Sequence, residues 1–333
     1  MRERPLLVAL RPLGLGDFLT GVPALRALAD AFPSHRRVLA APAPLAPLAS
    51  LSGAVDALAP TEPLTALAPE LHSADVAVDL HGRGPASHRV LLASRPRRLI
   101  AFANAEVAES RGMPDWRPEE HEVTRWCRML EGHGIPADAS RLELERPGLA
   151  AFVQERGATI VHPGAASAAR RWPADRFAAV ARSEREVGRK VIVTGAAAEV
   201  PLARSVAIEA GLDTSSVYAG RTDLLELAEL VAFAGRVVCG DTGIGHLATA
   251  FGTPSVIIFG PTSPERWGPP PARRRHRPLW SGSKGDPHAS RPDPGLLEIR
   301  VDDVLKELAA LDGEGRPVQE LAVRVERVDS LRT

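Results

Sequence analysis

The sequence has little of what marks a metal-stapled or secreted chain. Its two cysteines, Cys127 and Cys239, lie far apart with no CxxC or Cys/His spacing. That excludes a zinc ribbon or a disulfide scaffold and suits a reducing cytosol. No excess of one charge exists either: 41 Lys and Arg balance 41 Asp and Glu, so no global field recruits nucleic acid or an anionic membrane. The apolar run in the N-terminal "MRERPLLVAL" is too short for a signal-peptide core and reads as a first strand. The one uncharged stretch long enough to suggest a span, residues 38–55, carries three prolines and mostly alanine, and is expected to be a short strand followed by a loop and a helix. Two nucleotide signatures are missing as well. There is no G-x-x-x-x-G-K-[ST], and the glycines of the first turn, Gly14, Gly16 and Gly21, are spaced too widely for the dinucleotide fingerprint.

What is present is length and alternation. A chain of 333 residues with 44% hydrophobic content can build two cores. Short β-branched runs alternate with helical patterns, the signal of parallel sheets. Strands are expected at 6–10, 37–40, 76–80 and 99–102, with a helix at 23–31. In the second half "TIVHPGA", "KVIVTG", "RVVCG" and "PSVIIFG" are strands, and "DLLELAELVAFA" is a helix capped by Asp223. The pattern implies two Rossmann-like domains, 1–150 and 151–312, facing a central cleft, with a hinge near 146–158 and a tail at 313–333. Ligands in such sheets bind beyond the carboxyl ends of the strands, so the loops there carry the chemistry.

Four such loops are candidates. "LGLGDF" places Asp17 at a turn beside a helix start, where it is either a helix cap or a general base, with Gly14 and Gly16 shaping the turn. "HPGAASAARRWP" puts Arg170 and Arg171 just before a helix, as surface charges or as phosphate ligands. "GDTGIGHLATAFG" leaves the amides of Thr242 and Gly243 open to an anion, with Asp241 suited to sugar hydroxyls or to fixing the loop, and with His246 on the first helical turn. Glu199, four residues past Gly195, stands where an acid accepts ribose hydroxyls or favours a helix start. "FGPTSPERWGP" reads as a further cleft-lining loop, and "PPPARRRHRPLWSGSKGDPHASRPDPG" as an irregular one.

Taken together, "RPLGLGDFLTGVPALRALADAFP", "VDLHGR", "VHPGAASAARRWPADRFAAVA", "VTGAAAE" and "GDTGIGHLATAFGTPSVIIFGPTSPERWGP" resemble, in order and spacing, the ADP-heptose:lipopolysaccharide heptosyltransferases of glycosyltransferase family 9. The resemblance covers roughly residues 5–310. It implies a GT-B fold, with the acceptor on the first domain and the nucleotide sugar on the second, and inversion at the anomeric carbon with no essential metal and no cofactor. By the same resemblance Asp17 is the catalytic base, Arg170 occupies the position that is more often a diphosphate-binding lysine, and Asp241, Thr242, Gly243 and His246 match the donor block. Thr222 falls near the adenine-contacting segment. A cysteine cluster common in relatives after Phe-Gly-Pro-Thr is absent here.

The expected activity is transfer of a heptose or related sugar from a nucleoside-diphosphate sugar, ADP-heptose foremost, to a hydroxyl of a lipopolysaccharide-core-like or other glycan acceptor. A nucleotide-sugar epimerase of GT-B-like fold and a non-catalytic nucleotide-sugar-binding module are the alternatives. The expected setting is a cytoplasmic monomer without nucleic-acid partners. The arginine runs at 95–98 and 273–277 are either solvated surface charge or an aid to peripheral contact with a membrane.

Overall fold

The computed structural model of the chain describes residues 4–148 and 151–314. In the first half the strands are β1 (Leu6–Leu10), β2 (Arg36–Ala41), β3 (Ala57–Pro60), β4 (Val76–Asp79) and β5 (Arg98–Ile100). They alternate with α1 (Leu15–Ala31), α2 (Ala46–Leu51), α3 (Ala86–Ala93) and α4 (Glu122–Gly132). The second half contains β6 (Thr159–His162), β7 (Val191–Val193), β8 (Arg236–Gly240), β9 (Ser255–Ile258) and β10 (His276–Leu279). Its helices are α5 (Ala174–Glu186), α6 (Val200–Glu209), α7 (Leu224–Phe233), α8 (Gly243–Phe251), α9 (Pro264–Trp267), α10 (Pro294–Glu298) and α11 (Val301–Glu314).

Every pairing is parallel, in the orders β3-β2-β1-β4-β5 and β10-β9-β8-β6-β7. Parallel strands covered on both faces are apolar along their length, which is why "LLVAL" and "RVVCG" read as runs and not as alternations. In each sheet the strand order reverses once, between β1 and β4 and between β6 and β8. A crevice opens at such switch points beyond the carboxyl ends of the strands. The loops there include Arg11–Gly14, the segment after His162 and the turn at Asp241–Thr242. Two Rossmann-like halves facing one cleft are the expected GT-B architecture.

The core explains how the halves are joined. One continuous apolar cluster runs from Leu7, Leu39 and Ile100 of the first sheet through α1 and α8 to Val237 and Ile257 of the second. The outer faces are covered separately, by residues such as Val193, Phe177 and Leu308 on one sheet and Val8, Val38 and Leu91 on the other. Among the described residues no helix is long and apolar enough to cross a membrane. Residues 38–55 form the rest of β2, a short turn and α2, as expected.

Three expectations need correction. Helix α1 begins at Leu15, eight residues before the expected start, and carries Pro23 inside it. Proline there forfeits one helical hydrogen bond, which the burial of Phe18, Leu19, Val22, Leu25 and Leu28 outweighs. Strand β3 was not expected, because alanine and proline give it a weak β signal. Strand β10 lies within the segment read as an irregular loop. Of the expected tail, only the end of α11 is described, and the remainder lies outside the described residues.

Candidate active site

The turn after β1 shows what its glycines do. Gly14 is the N-cap of α1, with ordinary extended backbone (φ −71°, ψ −179°) and no side-chain cap. Asp17 therefore sits inside the first helical turn and is not the N-cap. A Cβ on Gly16 would stand 3.1 Å from the His246 ring, and one on Gly243 2.9 Å from Leu15. These two glycines let the N-terminal ends of α1 and α8 touch across the interface between the halves.

Gly21, whose late position ruled out a dinucleotide fingerprint, makes room for a buried arginine: its Cβ would lie 2.8 Å from Arg11 Nε. Arg11 escaped the sequence reading, yet it organises this side of the site. Its Nε donates to the Asp17 carbonyl at 2.5 Å, and its other nitrogens donate to the Leu80 carbonyl, to Thr20 Oγ1 at 3.1 Å and to Glu122 Oε1 at 3.2 Å. Glu122 is itself held by Arg125 and by Trp126 Nε1 at 2.7 Å. A buried charge is tolerated when it is paired and hydrogen-bonded, and Arg11, Glu122 and Arg125 meet that condition together. Burial raises the Asp17 carboxyl above its ordinary pKa; Arg11 opposes that rise, Glu122 adds to it, and the amides of Asp17 and Gly14 oppose it.

On the facing wall, Thr242 is the extended N-cap residue of α8 and provides no side-chain cap. The amides at the start of a nine-residue helix are thus left for an anion, reinforced by the helix dipole. Arg170 reaches the same place, donating from Nη1 to the Asp241 carbonyl at 3.3 Å, while its buried Nε has no partner. Gly240 permits this approach, since a Cβ there would be 3.0 Å from the Arg170 carbonyl. Burial pushes the Asp241 carboxyl up to about 6, against the pull of Arg170. Glu199 accepts from the Ala196 amide at 2.8 Å and lies over Gly164, where a side chain would overlap its carboxylate.

Histidines complete the walls. Burial lowers His246 to about 4, helped by repulsion from His121 and opposed by Glu122, so it is a neutral imidazole at pH 7. Its ring meets Trp267 edge-on, with centroids 6.0 Å apart. His162, hydrogen-bonded through Nδ1 to Thr194 Oγ1 at 3.0 Å, is lowered by burial and raised by Glu199.

Between these walls lies one cavity of about 500 Å³. It brings together Gly14, Gly16 and Asp17 from the first half with Arg170, Glu199, Asp241, Thr242, Gly243 and His246 from the second. Two expected members are elsewhere. Arg171 is exposed and turns back to donate to the Ala165 carbonyl at 2.8 Å, so it braces the loop instead of lining the cavity. Thr222 does not line the cavity; it immediately precedes Asp223, which caps α7 in a reciprocal pair with Glu226. His162, Thr262, Trp267 and His288 do line it. Of these, Thr262 and Trp267 come from the loop that the sequence marked as cleft-lining, and His162 and His288 were missed. Two larger cavities, about 940 and 890 Å³, lie along the junction of the halves and contain none of these residues. Among the described residues, no three His, Cys, Asp or Glu side chains come together as a metal-binding group.

Known proteins resemble this chain in sequence and in fold. Residues 101–294, more than half of the chain, match glycosyltransferase family 9 (heptosyltransferase). Lipopolysaccharide heptosyltransferase 2 of Escherichia coli K12 is 31% identical over 152 residues, 43% of each chain, so the match spans less than half of that relative. In structure, a family 9 glycosyl transferase from Veillonella parvula superposes with a TM-score of 0.77 at 19% identity, covering 94% of this chain and 99% of that one. E. coli ADP-heptose lps heptosyltransferase II gives 0.73 at 22%, covering 93% and 99%. The superpositions establish the GT-B fold along nearly the whole chain, and the family match extends from the end of the first sheet through the donor-side loops. By the family match the protein belongs to glycosyltransferase family 9, the heptosyltransferase family.

Proposed function

We propose that the protein is an inverting glycosyltransferase that moves a heptose from ADP-heptose to a hydroxyl of a lipopolysaccharide-core-like glycan. The observation that carries this reading is the shared cavity: a half-buried carboxylate from one half faces, across about 500 Å³, an arginine and an uncapped helix start from the other. That size falls within the range of ordinary small-ligand sites. The donor is the one named for the E. coli structure.

In this mechanism Asp17 takes the proton from the acceptor hydroxyl as its oxygen attacks the anomeric carbon, and the nucleoside diphosphate departs from the opposite face. A carboxylate whose pKa is raised by burial is a better base than one in water. Negative charge grows on the leaving diphosphate, where Arg170 and the amides of Thr242 and Gly243 stabilise it without a metal ion. Asp241 and Glu199 accept hydrogen bonds from hydroxyls of the donor. Placing base and donor on opposing walls fixes the direction of attack before reaction begins.

Asp17→Asn keeps the shape of the site and removes the base. Transfer should fall by about 10²- to 10⁴-fold while ADP binding, followed by calorimetry, stays near that of the unaltered protein. Transfer at near-normal rate would remove Asp17 from the base role. Consumption of ADP-heptose with no acceptor present would instead support an epimerase or hydrolase.

A further inference from the structure

The sequence assigned no role to the segment between β10 and α10. Much of it is exposed, yet it is firmly stitched. Trp280 Nε1 donates to the carbonyls of Gly260 and Ser283, each at 3.0 Å, and the Gly285 amide donates to the Pro261 carbonyl at 3.1 Å. The Ala289 carbonyl accepts from Ser167 Oγ at 3.1 Å and from the Ala169 amide at 3.2 Å. Ala169 directly precedes Arg170. The segment is thus bound to the loop that delivers the arginine, and its His288 lines the same cavity. The His288 amide donates to Asp286 Oδ1 at 2.9 Å, which fixes the turn.

The charge balance of the cavity gives this position a task. Its walls carry three carboxylates, Asp17, Glu199 and Asp241, against one guanidinium, that of Arg170. His162 and His246 are both held toward the neutral form by burial. A nucleoside diphosphate adds two or three further negative charges. His288 differs from the other two histidines in being exposed. An imidazole with access to water can donate a hydrogen bond from a ring N–H to a phosphate oxygen.

We propose that His288 is a second phosphate-binding residue, which contacts the diphosphate of the donor alongside Arg170. The inference rests on the donor-site reading above. It assigns the segment 281–293 to the donor site as a wall supplied by this chain's own sequence.

Titration of ADP and of adenosine into the full chain, by calorimetry, tests it with His288→Ala, His288→Gln and Arg170→Ala. We expect His288→Ala to weaken ADP by about fivefold or more, His288→Gln to fall between it and the unaltered protein, and adenosine affinity to stay within about twofold. Both histidine variants should keep the melting temperature, since the side chain is at the surface. If Arg170→Ala weakens ADP and His288→Ala does not, the proposal is overturned and the donor site stands. If adenosine weakens as much as ADP, the phosphate assignment is overturned. If the unaltered protein binds neither ADP, GDP nor UDP, the donor-site reading falls and this inference with it.

Discussion

Single residues in this protein are best understood through what burial does to them. Asp79, at the end of β4, has no exposed surface. It accepts from the His81 amide at 2.9 Å, and bonds to Ser87 and the Gly82 amide also favour its charged form, yet burial still pushes it up to about 6. His88 Nε2 lies 3.4 Å from its second oxygen, but His88 is lowered by burial, so both groups lean toward neutrality and the pair is not a full ion pair. The sign follows from linkage. A carboxyl raised from 3.8 to about 6 on folding lends stability that is complete below pH 4 and lost as pH rises through about 6. Buried histidines such as His276, lowered to about 4, act in the opposite direction as pH falls below 6.5. Asp79→Asn should therefore gain on the unaltered protein between pH 4 and 7, by on the order of 1 kcal/mol or more, in urea titrations at each pH. A constant difference would show that Asp79 does not titrate in that window. The sequence named Asp17, Asp241 and Arg170 as candidates because loops after strands gather at one end of a sheet, and the structure brings all three to one cavity. It did not reveal Arg11 or Glu122, because their pairing joins residues 111 positions apart and neither sits in a recognisable pattern.

Elements show the same division. Strands β1, β2, β4 and β5 and the second-half strands up to β9 were legible as apolar runs, and Asp223 as the cap of α7 was legible from its chemistry. The start of α1 was not, because Gly14, Gly16 and Gly21 read as a turn. Gly16 and Gly21 are there for space: each admits a side chain from another element, His246 in one case and Arg11 in the other. Helix α8 ends as helices usually do, at a left-handed glycine, Gly252 (φ +66°), with the Thr253 amide donating to the Ala248 carbonyl at 2.9 Å. Its last carbonyls are taken up by arginines of the run at 273–277: Arg273 donates to Thr249 at 3.1 Å and Arg275 to Gly252 at 2.8 Å. Part of that basic run thus serves the helix C-terminus, a role its composition alone did not indicate. Gly243→Ala tests the contact between α1 and α8. The new methyl must displace Leu15, so we expect a loss of about 1–3 kcal/mol in stability and a larger proportional loss of transfer than of ADP affinity. Equal stability and transfer would show that the contact yields freely.

The whole molecule is two sheets around one shared core. Polar contacts add to the joint: His121 pairs through Nε2 with the Gly268 carbonyl at 2.9 Å, Lys284 pairs with Glu119 at 3.1 Å, and Arg273 pairs with Glu143. Exposed pairs contribute little each, but the apolar cluster beneath them is continuous from one sheet to the other. Domains with a large hydrophobic interface move less freely than those joined by a polar one. We therefore expect a single thermal transition in calorimetry, with calorimetric and van't Hoff enthalpies in agreement. Two resolved transitions would show that the halves fold apart. The alternation that builds two parallel sheets was visible in the sequence. The shared core was not, since a sequence does not display which helix faces meet.

The touching ends of α1 and α8 have one more consequence. In any rotation, displacement grows with distance from the axis. Helix ends in van der Waals contact through Leu15, Gly16, Gly243 and His246 are the natural fulcrum between the two sheets, and Asp17 stands immediately beside them. A rotation about this contact that shifts the loop at 116–121 would change the separation of Asp17 from the Thr242–Gly243 turn least. On the proposed mechanism, the reacting distance, set beside the pivot, would then be kept as substrates enter and leave.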